Sequence, residues 1–274
     1  MVAFKKVFHV VSLRELFGGA SHRDKMTVAI SFDDGYRNNL LYALPILRRL
    51  EIPATLFVTT LKSTQYEMLW PDYLDVATYL STKPIVVAGR TYVKRRGVYV
   101  DDDGLSLKER CKSQGWSLSR LIYDAFPEAM NHRAWSDLKD YWQLLDADEL
   151  RQLAAEKLID IGLHGHFHQH LGRCSVEQAQ QSLTESKAIL EGWIGRPVSA
   201  LAYPDGSYSR PLLSVAQSLG LTEQYAVQYL HHDDRADTRI LERLTINPFV
   251  SADVQSKALI DGHYGTARVG RHAP

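Results

Sequence analysis

Residues 26–32 read Met-Thr-Val-Ala-Ile-Ser-Phe, a short β-branched apolar run that stops at Asp33-Asp34-Gly35. Such a run, bounded by turn residues, suits a strand buried on both faces. From Asn38 to Leu50, Leu40, Leu41, Leu44, Leu47 and Leu50 fall at helical spacing, with Pro45 the one discordant residue. Pro53 then introduces a second apolar run, Ala54 to Thr60. Strand, helix and strand in this order define one unit of a parallel α/β sheet.

The same rhythm recurs from residue 146 onward. Asp146 with Glu149, and Ser175 with Gln178, have the spacing of helix-capping pairs. The helix they predict after Asp146 runs through Leu150, Leu153, Ala154 and Leu158. The one after Ser175 runs to about Trp193 and is ended by Gly195 and Pro197. Ser209, Pro211 and Gly220 bracket another, and Ser251 opens a last one. Strands are expected at Leu158–Leu163, Val198–Tyr203, Gln224–Leu230 and Ile240–Ile246. Roughly six strand-then-helix units give an α/β architecture with a parallel sheet, either open or closed into a barrel.

Leu61 to Leu145 interrupts the alternation and reads as an insertion. It carries an expected hairpin, Pro84 to Val100, with a basic tip at Lys94-Arg95-Arg96-Gly97, and helices near Ser106–Phe126 and Ala134–Leu144. Trp70, Trp116, Trp135 and Trp142 lie inside it. Their aromatic faces would suit sugar rings, but a segment of this size also needs a core of its own, and that is the stronger expectation.

The 274 residues are 45% hydrophobic and 23% charged, which supplies a sizeable core and excludes a disordered chain. Lys+Arg and Asp+Glu both number 32, so no net basic field attracts nucleic acid or an anionic membrane. Cys111 and Cys174 lie far apart and read as unpaired thiols of a reducing compartment. The opening stretch has a short apolar segment broken by Arg14 and Glu15. It does not read as a signal peptide, and no uncharged apolar run approaches the ~18 residues of a membrane helix. A cytoplasmic protein without a membrane span is expected.

Two clusters carry chemistry, each just after an expected buried strand. In a parallel α/β fold these strand ends share one face, where residues distant in sequence converge. Asp33-Asp34 is the first. Adjacent carboxylates repel, so one is expected to face a cation, although each also suits a helix N-cap or a solvated loop. The second is Ile161-Gly-Leu-His-Gly-His-Phe-His-Gln-His170, four histidines in seven positions. A helical turn would put His164 and His168 on one side, whereas a strand would gather all four. The His-x-x-x-His pair is favoured. With Asp34 as third ligand, two imidazoles and one carboxylate leave open positions for a catalytic divalent ion, zinc first among the first-row metals. Asp33, left free beside it, is placed to act as general base on water that the cation acidifies. There is no GxxxxGK[ST], no GxGxxG after a strand and no GxSxG, so phosphate-cradling and serine-hydrolase readings find no support.

With these motifs the chain resembles the polysaccharide deacetylases of carbohydrate esterase family four, the chitin and chito-oligosaccharide deacetylase type with a NodB homology domain. The resemblance rests on Ser31-Phe-Asp-Asp-Gly35, on Ile161 to His168 with its trailing His170-Leu171, and on Leu201-Ala-Tyr-Pro-Asp-Gly206. It implies a distorted (β/α) barrel of about seven strands, with residues 1–274 forming one catalytic domain that carries the insertion at about 61–145. It also implies Asp33 as base, and Asp34, His164 and His168 as ligands of the metal. Tyr203 and Asp205 are placed at the substrate, Asp205 through its backbone N–H at the oxyanion. Three departures stand out: Gly165 replaces a Ser or Thr, Asp205 replaces a common Tyr, and Ala202 stands where many members carry an Arg that orients the base. A subgroup draws that Arg from a later strand, and Arg243 is the candidate here. The family's late histidine, its general acid, could be His263, His231 or His232.

The function so implied is a metal-dependent deacetylase that hydrolyses an N-acetyl amide on a sugar or polysaccharide precursor, such as a cytoplasmic or lipid-linked intermediate. A hydrolase of small non-sugar amides or cyclic imides fits the same residues. So does a catalytically silent glycan-binding protein, for which Gly165 and Ala202 speak.

Overall fold

The computed structural model describes residues 2–126 and 134–264. Residues 127–133 of the insertion lie outside that description. Eleven strands are described: β1 (His9–Val10), β2 (Thr27–Val28), β3 (Ser31–Phe32), β4 (Ala54–Val58), β5 (Ile85–Val87), β6 (Arg90–Arg95), β7 (Val98–Val100), β8 (Ile159–Leu163), β9 (Ala200–Ala202), β10 (Glu223–Ala226) and β11 (Ile240–Glu242). Six of them form a curled parallel sheet in the order β11-β10-β9-β8-β4-β3. The expected distorted barrel is thus a half-barrel of six strands.

The run 26–32 forms two short strands because it changes partner midway. Thr27–Val28 pairs with β1, while Ser31–Phe32 pairs with β4. The change is visible in the ladder: Val28 O accepts from Val11 N (3.0 Å) and Ile30 O from Thr55 N (3.0 Å). The helix expected over 38–50 is divided as well, into a π-helical turn, Asn39–Ala43, and an α-helix, Leu44–Leu50. Pro45 has no N–H to offer Leu41, and its ring crowds that carbonyl; a wider turn just before it removes the conflict.

Both sheet faces are packed, and β4 shows how. Ala54, Leu56 and Val58 point outward into a core shared with helices Leu44–Leu50, Ala147–Ala154, Val176–Ile194 and Arg210–Ser218. Phe57 points inward against Ala200, Ala202, Tyr225 and Leu13. Gly162 of β8 is glycine because Phe57 occupies its place: a Cβ there would lie 2.5 Å from that ring. The helices start and stop where local chemistry directs. Asp146/Glu149 and Ser175/Gln178 form reciprocal capping boxes. Gly195 ends the long helix in the left-handed conformation at φ 71°.

The insertion departs from expectation: it carries a helix, Trp70–Leu80, that the sequence pattern does not predict, and the helix expected over Ser106–Phe126 is broken into three short ones. Its hairpin is a three-stranded antiparallel meander, β5-β6-β7, with a second tight turn at Ala88-Gly89 in addition to the basic tip. Two consecutive positive-φ residues at each turn give the twist that two-residue hairpins require. Helices Trp70–Leu80 and Leu107–Gln114 pack on the meander. Trp70, Tyr73, Tyr92, Tyr99 and Phe126 form the insertion's own core, against which Trp116, Trp135 and Trp142 pack. No helix among the described residues is long and apolar enough to cross a membrane. Cys111 and Cys174 are free thiols.

Candidate active site and metal centre

Three loops meet at the C-terminal ends of β3, β8 and β9. The first follows β3, where Asp34 and Gly35 both have left-handed backbone, φ 75° and 81°. This turn sends the Asp34 side chain over the strand ends, and it is held by Thr59, whose Oγ1 donates to Asp34 O (3.2 Å). The second follows β8, where Gly165 and His168 adopt positive φ (73° and 50°). These bends make the histidine run neither helix nor strand. It selects His164 and His168 from the four: their Nε2 atoms lie 3.4 and 3.2 Å from Asp34 Oδ1. One ligand atom from each of the three residues falls within 4.8 Å of the others.

The two histidines are held differently. His164 Nδ1 donates to Ala202 O (2.8 Å), which leaves the Nε2 lone pair facing Asp34. The His168 carbonyl accepts from the indole of Trp70 (3.0 Å), so a buried tryptophan of the insertion holds the second imidazole's backbone. Trp70 is 1% exposed and presents no face to a sugar. Burial keeps both histidines below their ordinary pKa, hence neutral, the form that ligates. The other two histidines have other work. His166 Nδ1 shares a hydrogen bond with Thr60 Oγ1 (2.6 Å), and His170 Nε2 donates to Asp205 Oδ2 (2.6 Å).

Three carboxylates converge here, and their partners differ. Asp33 receives Arg243 through two parallel bonds, Nη1–Oδ1 2.8 Å and Nη2–Oδ2 2.9 Å. Burial pushes Asp33 up, but its interaction with the His164 imidazole and the charge and hydrogen bonds of Arg243 outweigh it and hold the carboxyl below its ordinary value. Asp205 accepts from His170 and from Lys112 Nζ (2.8 Å) and is held well below the usual range, chiefly by the His170 bond and then by Lys112. Asp34 alone has no cation of its own. Its buried Oδ1 is without a hydrogen-bond partner, as is His168 Nδ1. Burial, opposed by His164 and reinforced by the Asp33 charge, raises its pKa to about 6. An unpartnered buried carboxylate oxygen facing two neutral imidazoles fits a divalent cation: the donor set matches, and the charge a cation would bring is the one missing.

Arg243 follows β11, with its N–H on Ala226 O (2.8 Å). Its guanidinium lies over the Phe57 ring (5.0 Å) and also donates to Ser31 Oγ (2.9 Å). It thereby bridges side chains across the gap between the two edge strands of the half-barrel. Ala202, inward-facing on β9, packs with Phe57, Ala200 and Tyr225.

The Tyr203 side chain corrects one expectation. It is fully buried and donates to Gln224 Oε1 (2.6 Å), so it is a core residue and does not face a ligand. Alternation explains this: Ala200 and Ala202 face the interior of the curl, whereas Leu201 and Tyr203 face the outer helices. Asp205 remains at the site with left-handed backbone, φ 51°. His231, His232 and His263 are exposed, and no contact joins them to Asp34, His164 or His168 among the described residues.

Sequence reading missed Tyr36 and Asp72. Tyr36 Oη donates to Asp72 Oδ2 (2.7 Å). Asp72 stands in the first turn of helix Trp70–Leu80, buried, with its pKa pushed up to about 7 mainly by burial. Its only sequence signal was a carboxylate next to Trp70-Pro71. Trp116 was noted, but not its stacking on Phe167 of the histidine loop (4.2 Å, 8°).

A family model described as polysaccharide deacetylase matches residues 20–224, well over half of the chain, which therefore belongs to the polysaccharide deacetylase family, hydrolases of carbon–nitrogen bonds other than peptide bonds. Among solved structures, the Streptococcus pyogenes deacetylase PplD in complex with acetate is similar with a TM-score of 0.53 at 14% identity, covering 94% of this chain and 80% of that one. IcaB from Ammonifex degensii gives 0.50 at 14% identity, covering 88% and 78%. A polysaccharide deacetylase from Bacillus cereus gives 0.51 at 14% identity, covering 92% of this chain and 56% of its own length. These likenesses show a shared fold. No curated protein sequence matches the chain.

Proposed function

We propose that the protein is a metal-dependent deacetylase that hydrolyses the N-acetyl amide of a sugar, with Asp34, His164 and His168 holding a divalent ion, zinc first among the candidates. The observation that carries this reading is the convergence of those three side chains, with an unpartnered Asp34 oxygen, beside an Asp33 gripped by Arg243. A divalent ion at that position supplies Lewis acidity to an acyl oxygen and acidifies water.

The chain's own residues do the rest. Asp33, kept ionised by Arg243, accepts the proton of the attacking water as its oxygen bonds to the acyl carbon. The Asp205 backbone N–H lies in the loop beside His168 and stabilises the negative charge that develops on the carbonyl oxygen. As the carbon–nitrogen bond breaks, Asp33 returns its proton to the departing amine, a step in which the exposed His231, His232 and His263 take no part. The products are acetate and a free amine. Purified protein supplied with zinc is expected to release acetate from N-acetylglucosamine oligosaccharides and to lose that activity to a chelator. Absence of acetate release from N-acetylated sugars, alongside turnover of small cyclic imides, would overturn the sugar assignment.

A further inference from the structure

We propose that Lys112, contributed by the insertion, is a positioning residue for the reaction: by holding the Asp205 carboxylate it fixes the turn whose backbone N–H meets the acyl oxygen. The inference rests on the deacetylase reading for its kinetic consequence, but not for its structural one.

Asp205 is an unusual residue for its place. It sits between Pro204 and Gly206 in a tight turn with left-handed backbone, a region a non-glycine residue enters only at a cost. Gly206 continues the left-handed stretch at φ 66° so close to the end of β10 that a Cβ would lie 2.8 Å from Val227 N. The turn closes on itself through Gly206 N to Tyr203 O (2.8 Å) and Ser207 N to Pro204 O (3.0 Å). Those bonds shape the loop but do not tie the Asp205 side chain to anything. Two cationic or N–H donors do. His170 Nε2 comes from the loop after β8 at 2.6 Å, and Lys112 Nζ comes from helix Leu107–Gln114 at 2.8 Å, both on Oδ2.

The contact joins two regions whose strands lie in separate sheets. Helix Leu107–Gln114 belongs to the core of the insertion, through buried Leu107 and Cys111, while Asp205 follows β9 of the main sheet. One turn earlier on the same helix, Lys108 pairs with Asp75 of helix Trp70–Leu80 (2.9 Å), entirely within the insertion. The two lysines therefore separate what the helix does for its own segment from what it does for the site. Lys112 also balances charge. Asp205 would otherwise add a third negative carboxylate beside Asp33 and Asp34, and a paired carboxylate keeps a single orientation where an unpaired one would be drawn toward a cation at the triad.

The test compares Lys112→Met, Lys112→Arg and the control Lys108→Met in the full chain, by amide hydrogen exchange and by steady-state kinetics with zinc. Lys112→Met is expected to speed exchange at Gly206 and Ser207 about tenfold or more, with the sheet unchanged. It should also lower kcat roughly tenfold with KM within about twofold, since a misplaced oxyanion donor acts on the transition state. Lys112→Arg restores most of both, and Lys108→Met moves neither. Unchanged exchange in Lys112→Met overturns the proposal whatever the kinetics. Equal changes in Lys108→Met also overturn it, because they would mean a general loss of the helix. A wild-type protein without deacetylase activity would defeat the functional reading, while the exchange comparison still decides the role of Lys112.

Discussion

Arg243 meets Asp33 across 210 residues of sequence in a fork-on-fork ion pair, one terminal guanidinium nitrogen on each carboxylate oxygen. The geometry matters because a planar, permanently charged fork fixes the carboxylate plane and keeps it ionised, which a single ammonium does not. Asp33→Asn should lower kcat about 100- to 10,000-fold, the usual contribution of a general base, while leaving metal stoichiometry intact. Arg243→Lys should cost about tenfold or more in kcat/KM, roughly 1.4 kcal/mol, because the plane is no longer held. The double variant should be no worse than Asp33→Asn alone, since Arg243 acts through Asp33. Steady-state kinetics on the three variants checks this, and additive losses would contradict it.

Metal binding should follow the protonation of Asp34. His164 and His168 are held neutral by burial, so the last proton to leave the triad is the one on Asp34, whose pKa is raised to about 6. Zinc affinity is therefore expected to climb about tenfold per pH unit up to about 6 and to flatten above it. Stability of the metal-free protein should run the other way. A carboxyl whose pKa is higher folded than unfolded favours the fold fully below the ordinary carboxylate range, and that contribution is lost as pH rises through about 6. The melting-temperature gain on adding zinc should thus be larger at pH 7.5 than at pH 5, as thermal scans with and without metal would register. Equal gains at both values would count against Asp34 as a ligand.

What could be read in the sequence was what depends on near neighbours along the chain. The capping boxes at Asp146 and Ser175, the glycine end at Gly195 and the Asp33-Asp34 and His164/His168 spacings each involve residues within a few positions of one another. The turns that aim Asp34 and His168 were not legible, because positive φ at a non-glycine residue has no compositional mark. Nor was Thr60 on His166, which depends on β4 and β8 being sheet neighbours, nor Trp70 on the His168 carbonyl and Lys112 on Asp205, which depend on how the insertion folds back over the sheet. Tyr203 is the instructive miss. The family resemblance placed it at the substrate, whereas the two-residue alternation of β9 sends its ring to the opposite face.

Asp72 gives a stability prediction with a definite sign. Its carboxyl is 7% exposed, and burial raises its pKa to about 7 in the fold. The unfolded carboxyl ionises in the ordinary carboxylate range and the folded one only near 7, so the penalty builds up between those values, is partial at pH 5 and is largest at pH 8. Asn keeps an acceptor for the Tyr36 hydroxyl and has no charge to bury. Asp72→Asn should therefore stabilise the metal-free protein more at pH 8 than at pH 5, by a difference on the order of 1 kcal/mol. Urea denaturation at the two values would detect the difference, and destabilisation at pH 8 would mean that the ionised carboxylate is favoured where it lies.

Gly172 and Gly192 form a matched pair for testing how the histidine loop is seated. Gly172 docks on the loop that carries Asp205: its N–H donates to Ser207 O at 2.9 Å, and a Cβ would lie 2.4 Å from Tyr208 O and 2.6 Å from the carbonyl carbon. Backbone, unlike a flexible side chain, cannot step aside, so Gly172→Ala must push the two loops apart. It is expected to destabilise the protein by about 2 kcal/mol or more and to weaken zinc binding, because His168 and His170 lie in the displaced segment. Gly192 lies within helix Val176–Ile194, where a Cβ would have nothing within 4 Å. There the added methyl restricts the unfolded chain and improves helix propensity, so Gly192→Ala should stabilise by about 0.5–1 kcal/mol with zinc affinity unchanged. Calorimetry with and without zinc separates the two effects. If Gly172→Ala melted like the wild type, the close seating of the histidine loop on the Asp205 turn could not hold.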